Sequence, residues 1–128
     1  VSIDIGTCVK FDLVGKKEGY MGGSIAPGID LRYRSLNNYT EKLPLLSNKS
    51  ATSLVGRDTE TSIRSGVING INSEIAGFVN RYETDFSGLT FFVTGGDSSY
   101  FDIQSKNDIF ADENLTLRGL FEIYRHNA

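Results

Sequence analysis

The chain has 128 residues, 39% of them hydrophobic and 23% charged, which is enough for one domain with a buried core. A net charge of −3 with scattered Lys and Arg argues against a nucleic-acid surface, which rests on clustered cations. One cysteine and one histidine rule out an internal disulfide and argue against a Cys/His metal centre. No apolar run reaches the roughly 18 residues of a transmembrane helix, so no membrane partner and a cytoplasmic location are expected.

Residues 1–26 read as strands. Ile3 and Ile5 alternate with Asp4, and Val9, Phe11 and Leu13 alternate with Lys10 and Asp12, a period of two that turns one face inward. Between these runs lies a polar bend with three useful groups. Gly6 can take the positive φ that lets backbone N–H groups converge on an anion, Thr7 adds a hydroxyl donor, and Asp4 can hold a cation or a metal-bound water. The same pattern occurs in plain hairpins, so alone it does not define a phosphate site. Gly15-Lys16-Lys17-Glu18-Gly19 is a polar turn, which makes these strands an antiparallel meander. The chain opens at Val1 within a strand pattern and without a methionine, and on that ground reads as one lobe of a longer protein.

Pro27 suits the first position of a helix carrying Ile29, Leu31, Tyr33 and Leu36, which should stop before Pro44. A polar connector, Ser47 to Ser53, precedes Leu54-Val55, a candidate short strand. Ile63, Val67, Ile71, Ile75, Phe78 and Tyr82 then recur at helical steps, with Asp58 or Thr59 as N-cap and Thr61 or Ser62 as nearby alternatives. Gly66 and Gly70 lie one turn apart in this helix, and would admit a close neighbour or reflect tight core packing. Glu74 and Glu83 fall on its solvated flank. Leu89–Thr94 is an apolar strand ending in Thr94-Gly95-Gly96-Asp97. Ser98–Ser105 is a candidate helix, Ile109-Phe110 a candidate strand, and Leu115–Tyr124 a closing helix. Cys8 reads as a small core residue, Tyr20, Tyr33, Tyr39, Phe91 and Phe92 as core or dimer contacts, and His126 is given no role.

This order is a mixed α/β layout, an antiparallel meander feeding parallel strands with helical crossovers. It matches a ribonuclease H-like lobe, the half-unit that actin-like ATPases and sugar kinases pair around a nucleotide cleft. Residues 1–128 are thus expected to form a single such lobe.

Six short motifs fall in one order. They are Asp4-x-Gly6-Thr7-Cys8, Gly22-Gly23-x-Ile25-x-Pro27-Gly28, Thr40-x-x-Leu43-Pro44, Gly56-x-x-Thr59-x-x-Ser62-Ile63-x-x-Gly66, Thr94-Gly95-Gly96-Asp97 and Leu115-Thr116-Leu117-x-Gly119-Leu120. Together they resemble the C-terminal half of a type III pantothenate kinase, a family also described as Baf-type activators. The resemblance implies that Asp4, Gly6 and Thr7 face ATP phosphates, with Asp4 near Mg²⁺ or the activating monovalent cation, K⁺ or NH₄⁺. It implies that Thr94, Gly95, Gly96 and Asp97 form the nucleotide-side loop and that Thr59 contacts pantothenate within a homodimer.

The family's catalytic aspartate and its first phosphate motif belong to an upstream lobe, so no catalytic residue is expected in these 128 residues. Asp30 follows Gly28-Ile29 but stands at the wrong place in the motif order and is given no catalytic role. Positions 9 and 10, usually threonines in the family, are Val9 and Lys10. Lys10 reads either as a replacement charge for the phosphates or as a solvated strand residue. The activity implied for the whole protein is ATP-dependent phosphorylation of pantothenate, the entry to coenzyme A, with the isolated lobe inactive. The alternative is a degenerate, non-catalytic nucleotide- or pantothenate-binding regulator. Another actin-like kinase or a polyphosphate phosphatase is the third reading.

Overall fold

The computed structural model describes residues 1–128. Strands β1 (Ser2–Ile5), β2 (Cys8–Gly15) and β3 (Gly19–Pro27) form the expected meander, with a register irregularity at Leu13/Val14. Helices α1 (Ile29–Asn38) and α2 (Thr59–Asp85) then carry the chain across to β4 (Thr90–Thr94), which pairs parallel with β1. A single 3-10 turn (Ser98–Tyr100) leads to β5 (Asp108–Ala111), parallel to β4, and α3 (Leu115–Asn127) ends the chain. The five strands lie in the order β3-β2-β1-β4-β5. The fold is therefore a mixed α/β arrangement.

Alternation decides which face is covered. Ile3, Ile5, Val9, Phe11, Phe91 and Val93 are buried and meet Ile29 and Tyr33 of α1 and Ile63, Val67, Ile71, Ile75 and Val79 of α2 in one core. Phe11 stacks on Phe78 at 4.4 Å, and Tyr82 and Phe86 extend the aromatic row along α2. The other face presents Ser2, Asp4, Lys10, Asp12 and the stacked pair Phe92–Phe110, whose rings lie 5.8 Å apart. No helix is long and apolar enough to cross a membrane.

The start of α2 obeys its sequence. Asp58 accepts from the Thr61 amide at 2.8 Å while the Thr61 hydroxyl accepts from the Asp58 amide at 3.1 Å, a reciprocal capping box.

Elsewhere the chain departs from expectation. Pro27 ends β3, paired with Cys8, and Gly28 caps α1 instead. Leu54-Val55 forms no strand: the carbonyls of Ser53 and Leu54 accept from Asn69 and Ser65 of α2, which leaves both apolar side chains exposed. Only Ser98–Tyr100 of the expected 98–105 helix forms, because Phe101 and Ile103 alternate into the core at a strand's period. The second crossover is thus a loop. Gly66 has open space where a Cβ would stand and Gly70 meets only Arg32, so tight core packing does not account for the pair, and the space above Gly66 stays open to a neighbour. Tyr20 and Tyr39 are exposed rather than core residues, and Tyr20 bonds Asp12. Glu74 is not merely solvated, since Arg32 grips it at 2.7 Å.

Candidate functional site

Parallel neighbours end on the same side of a sheet, so β1 and β4 deliver their following bends to one rim. The Gly6-Thr7 bend follows β1, and Thr94-Gly95-Gly96-Asp97 follows β4. They are joined directly: the Asp97 amide donates to the Ile5 carbonyl at 2.9 Å, and the Ser98 amide closes the turn on the Gly95 carbonyl at 3.1 Å. Gly95 makes this approach possible. Its φ is +101°, and a Cβ there would stand 2.3 Å from the Ile5 oxygen, 2.5 Å from the Ile5 nitrogen and 2.6 Å from Asp4 Oδ1.

The Gly6-Thr7 bend is backed from its other side by Gly28. The Gly28 amide donates to the Thr7 carbonyl at 2.9 Å, and a Cβ on Gly28 would stand 2.0 Å from the Gly6 oxygen. Gly6 corrects an expectation. The positive-φ residues are Gly19, Gly22, Gly88 and Gly95, and Gly6 is not among them. Its amide donates to the Cys8 carbonyl at 3.0 Å, so the hairpin itself uses the donor that was expected to meet an anion. The left-handed conformation falls to Gly95. The space above Gly6 stays open, and Thr7 is exposed beside it.

Asp4 and Lys10 are cross-strand partners, and Lys10 Nζ lies 2.6 Å from Asp4 Oδ2. The hydrogen bond to Asp4 holds the Lys10 ammonium above its ordinary range, with the Asp4 charge adding to the effect. Lys10 is a strand residue whose side chain is 42% exposed, and its cation rests on Asp4. Asp4 Oδ1 faces the Gly95 turn instead. No group of three or more His, Cys, Asp or Glu gathers here or elsewhere. A single carboxylate with one oxygen turned to the rim fits Mg²⁺, which takes one or two carboxylates and fills its shell with ligand phosphates and water.

Asp97 points to a cation that sequence reasoning missed. Lys49 Nζ contacts both Asp97 oxygens at 2.9 and 3.1 Å and Asp30 Oδ2 at 2.9 Å. The bond to Asp30, and then those to Asp97, hold Lys49 above its ordinary range. Nothing in a polar connector of Asn, Lys and Ser marks one lysine as special.

Thr59 is not brought to this rim. It stands exposed at the first position of α2, in a recess of about 660 Å³ whose walls include Ser47, Asn48, Thr61 and Arg64. No residue lines both that recess and the two bends; the chain stretch from Ser47 to Lys49 connects them.

The sequence profile of a family described as type III pantothenate kinase matches residues 1–81. The chain is 46% identical over 98% of its length to a type III pantothenate kinase of Christiangramia forsetii, covering 51% of that protein. It is 42% identical over 97% of its length to one of Flavobacterium johnsoniae, again covering 51%. A crystal structure from Campylobacter jejuni, assigned to a Baf family of transcriptional activators, superimposes with a TM-score of 0.63 at 23% identity, over 99% of this chain and 57% of that one. At that identity the likeness speaks to fold alone. The chain spans about half the length of the curated relatives it matches.

Proposed function

This chain belongs to the type III pantothenate kinase family, and from that premise we propose that it is the C-terminal lobe of a two-lobe, cytoplasmic kinase. The reaction is transfer of the γ-phosphoryl group of ATP to the primary hydroxyl of pantothenate, the first step toward coenzyme A. The strand order, a three-strand meander followed by two parallel strands, supports a ribonuclease H-like class for the lobe. The observation that carries the reading is the bond from the Asp97 amide to the Ile5 carbonyl, which sets two glycine-bearing bends side by side.

Phosphoryl transfer asks a protein chiefly for alignment and charge neutralisation. Asp4, Gly6 and Thr7 would meet the phosphates in the open space above Gly6, where no Cβ intrudes. Thr94, Gly95, Gly96 and Asp97 would receive the nucleoside side. Asp4 would hold Mg²⁺, which would supply neutralisation of the phosphate charge, and K⁺ or NH₄⁺ would add to it. Lys10, 2.6 Å from Asp4, would share that carboxylate with the metal and add positive charge beside the phosphates. The base that accepts the hydroxyl proton comes from the N-terminal lobe. Thr59, in its own recess, would contact pantothenate, within a homodimer. The shared name of the relatives favours this kinase over a non-catalytic regulator.

A coupled assay on the two-lobe protein tests the proposal, with and without pantothenate and added K⁺ or NH₄⁺. Pantothenate-dependent ADP release is expected. Asp4→Asn should lower kcat about 100-fold, the scale of losing one preorganised electrostatic contact. Residues 1–128 alone should not turn over. Absence of pantothenate-dependent turnover by the wild-type protein overturns the reading.

A further inference from the structure

The loop from Thr94 to Asp97 is tethered by a side chain from the connector between α1 and α2. Asp97 is only 14% exposed, and a carboxylate so far withdrawn from water needs a partner. Lys49 supplies it through both oxygens and divides its charge with Asp30, in the first turn of α1. That turn begins next to Gly28, the residue backed against Gly6 and Thr7.

The backbone around Lys49 is itself anchored. The buried Tyr33 donates its hydroxyl proton to the Asn48 carbonyl at 2.8 Å, and Asn48 Oδ1 accepts from the Ser50 amide at 2.9 Å and its hydroxyl at 2.7 Å. Ser47 and Asn48, immediately before Lys49, are walls of the Thr59 recess. One short stretch thus reaches the rim with its cation and the recess with its neighbours.

We propose that Lys49 is a positioning residue: its ammonium, shared by Asp97 and Asp30, holds the Thr94–Asp97 loop against β1 and fixes the adjoining Ser47–Asn48 wall, so that one strap serves both substrates. This assignment rests on the kinase reading for its substrates but not for its geometry. A plain structural ion pair would lower thermal stability and the active fraction, leaving both KM values alone. A strap changes binding.

In the two-lobe protein, Lys49→Met should raise the KM for ATP about tenfold and that for pantothenate by a smaller factor, with kcat less affected. Lys49→Arg, which keeps the charge, should recover most of both. Lys49→Met combined with Asp30→Asn should be no worse than Lys49→Met alone, as expected for one shared contact. Hydrogen exchange supplies a readout independent of activity: the Asp97 amide should exchange at least tenfold faster in Lys49→Met, with the amides of β1 unchanged. Should Lys49→Met fail to fold, Asp30→Asn at the half-exposed end of the cluster is expected to give an intermediate acceleration. Wild-type exchange at Asp97 in the folded variant, or unchanged KM values for both substrates, overturns the assignment. A wild-type protein without pantothenate-dependent turnover would remove the kinase reading, and the exchange measurement would still decide the tether.

Discussion

Gly95 is the residue on which the rim depends. Both constraints on it are backbone constraints, a positive φ and the Ile5 main chain within 2.5 Å of any added Cβ, so no rotamer change can relieve them. Gly95→Ala should destabilise the chain by about 1–3 kcal/mol in denaturant titration and weaken nucleotide binding further. An alanine variant with wild-type stability would show that the turn can be rebuilt. The sequence marks Asp4 as a strand-end carboxylate, whereas Gly95 comes to notice only through the resemblance of Thr94-Gly95-Gly96-Asp97 to a family motif. The conformation of Gly6 was not legible, since the φ of a bend glycine depends on which carbonyl takes its amide, here that of Cys8. Lys49 was illegible for another reason. Asp97, its partner, is 48 residues away, and no periodicity links a connector to a strand-end loop.

At the scale of elements, periodicity made α2 and the meander readable, because one buried face imposes a regular spacing over many residues. The second crossover lacked that signal. Its alternative bonds come from Glu83, whose carboxylate accepts from the Ser105 hydroxyl, the Lys106 amide at 2.6 Å and the Asn107 side chain at 3.1 Å. These bonds, that of Ser105 first, hold Glu83 below its ordinary value of 4.5. The sign follows from linkage. A carboxyl more acidic in the folded state contributes stability above pH 4.5 that is lost as pH falls through its lowered folded value. Thermal midpoints measured across that acid window should fall more steeply for the wild type than for Glu83→Gln. Parallel curves would remove Glu83 from the account. The segment from Ser105 to Asn107 should be the first to lose exchange protection on acidification.

For the molecule as a whole, α3 stands out because no residue of it is buried. Leu117, Leu120, Phe121, Ile123 and Tyr124 are each more than half exposed, a larger apolar display than a lone soluble domain normally carries. Residues 1–128 should therefore self-associate with rising concentration, and Leu120→Glu with Phe121→Glu should suppress this in sedimentation velocity. A monomer at every concentration would contradict the expectation. The helix itself was legible from its repeat, but what a helix packs against is a property of three dimensions. A different consequence comes from β1 and β4 being immediate neighbours. No hinge separates the strands that carry the paired bends, so much of the entropy of arranging them is settled when the sheet forms, and the Lys49 contacts add to it. In the proposed two-lobe kinase, opening and shutting would then come from this body swinging as a unit, its loading edge already arranged.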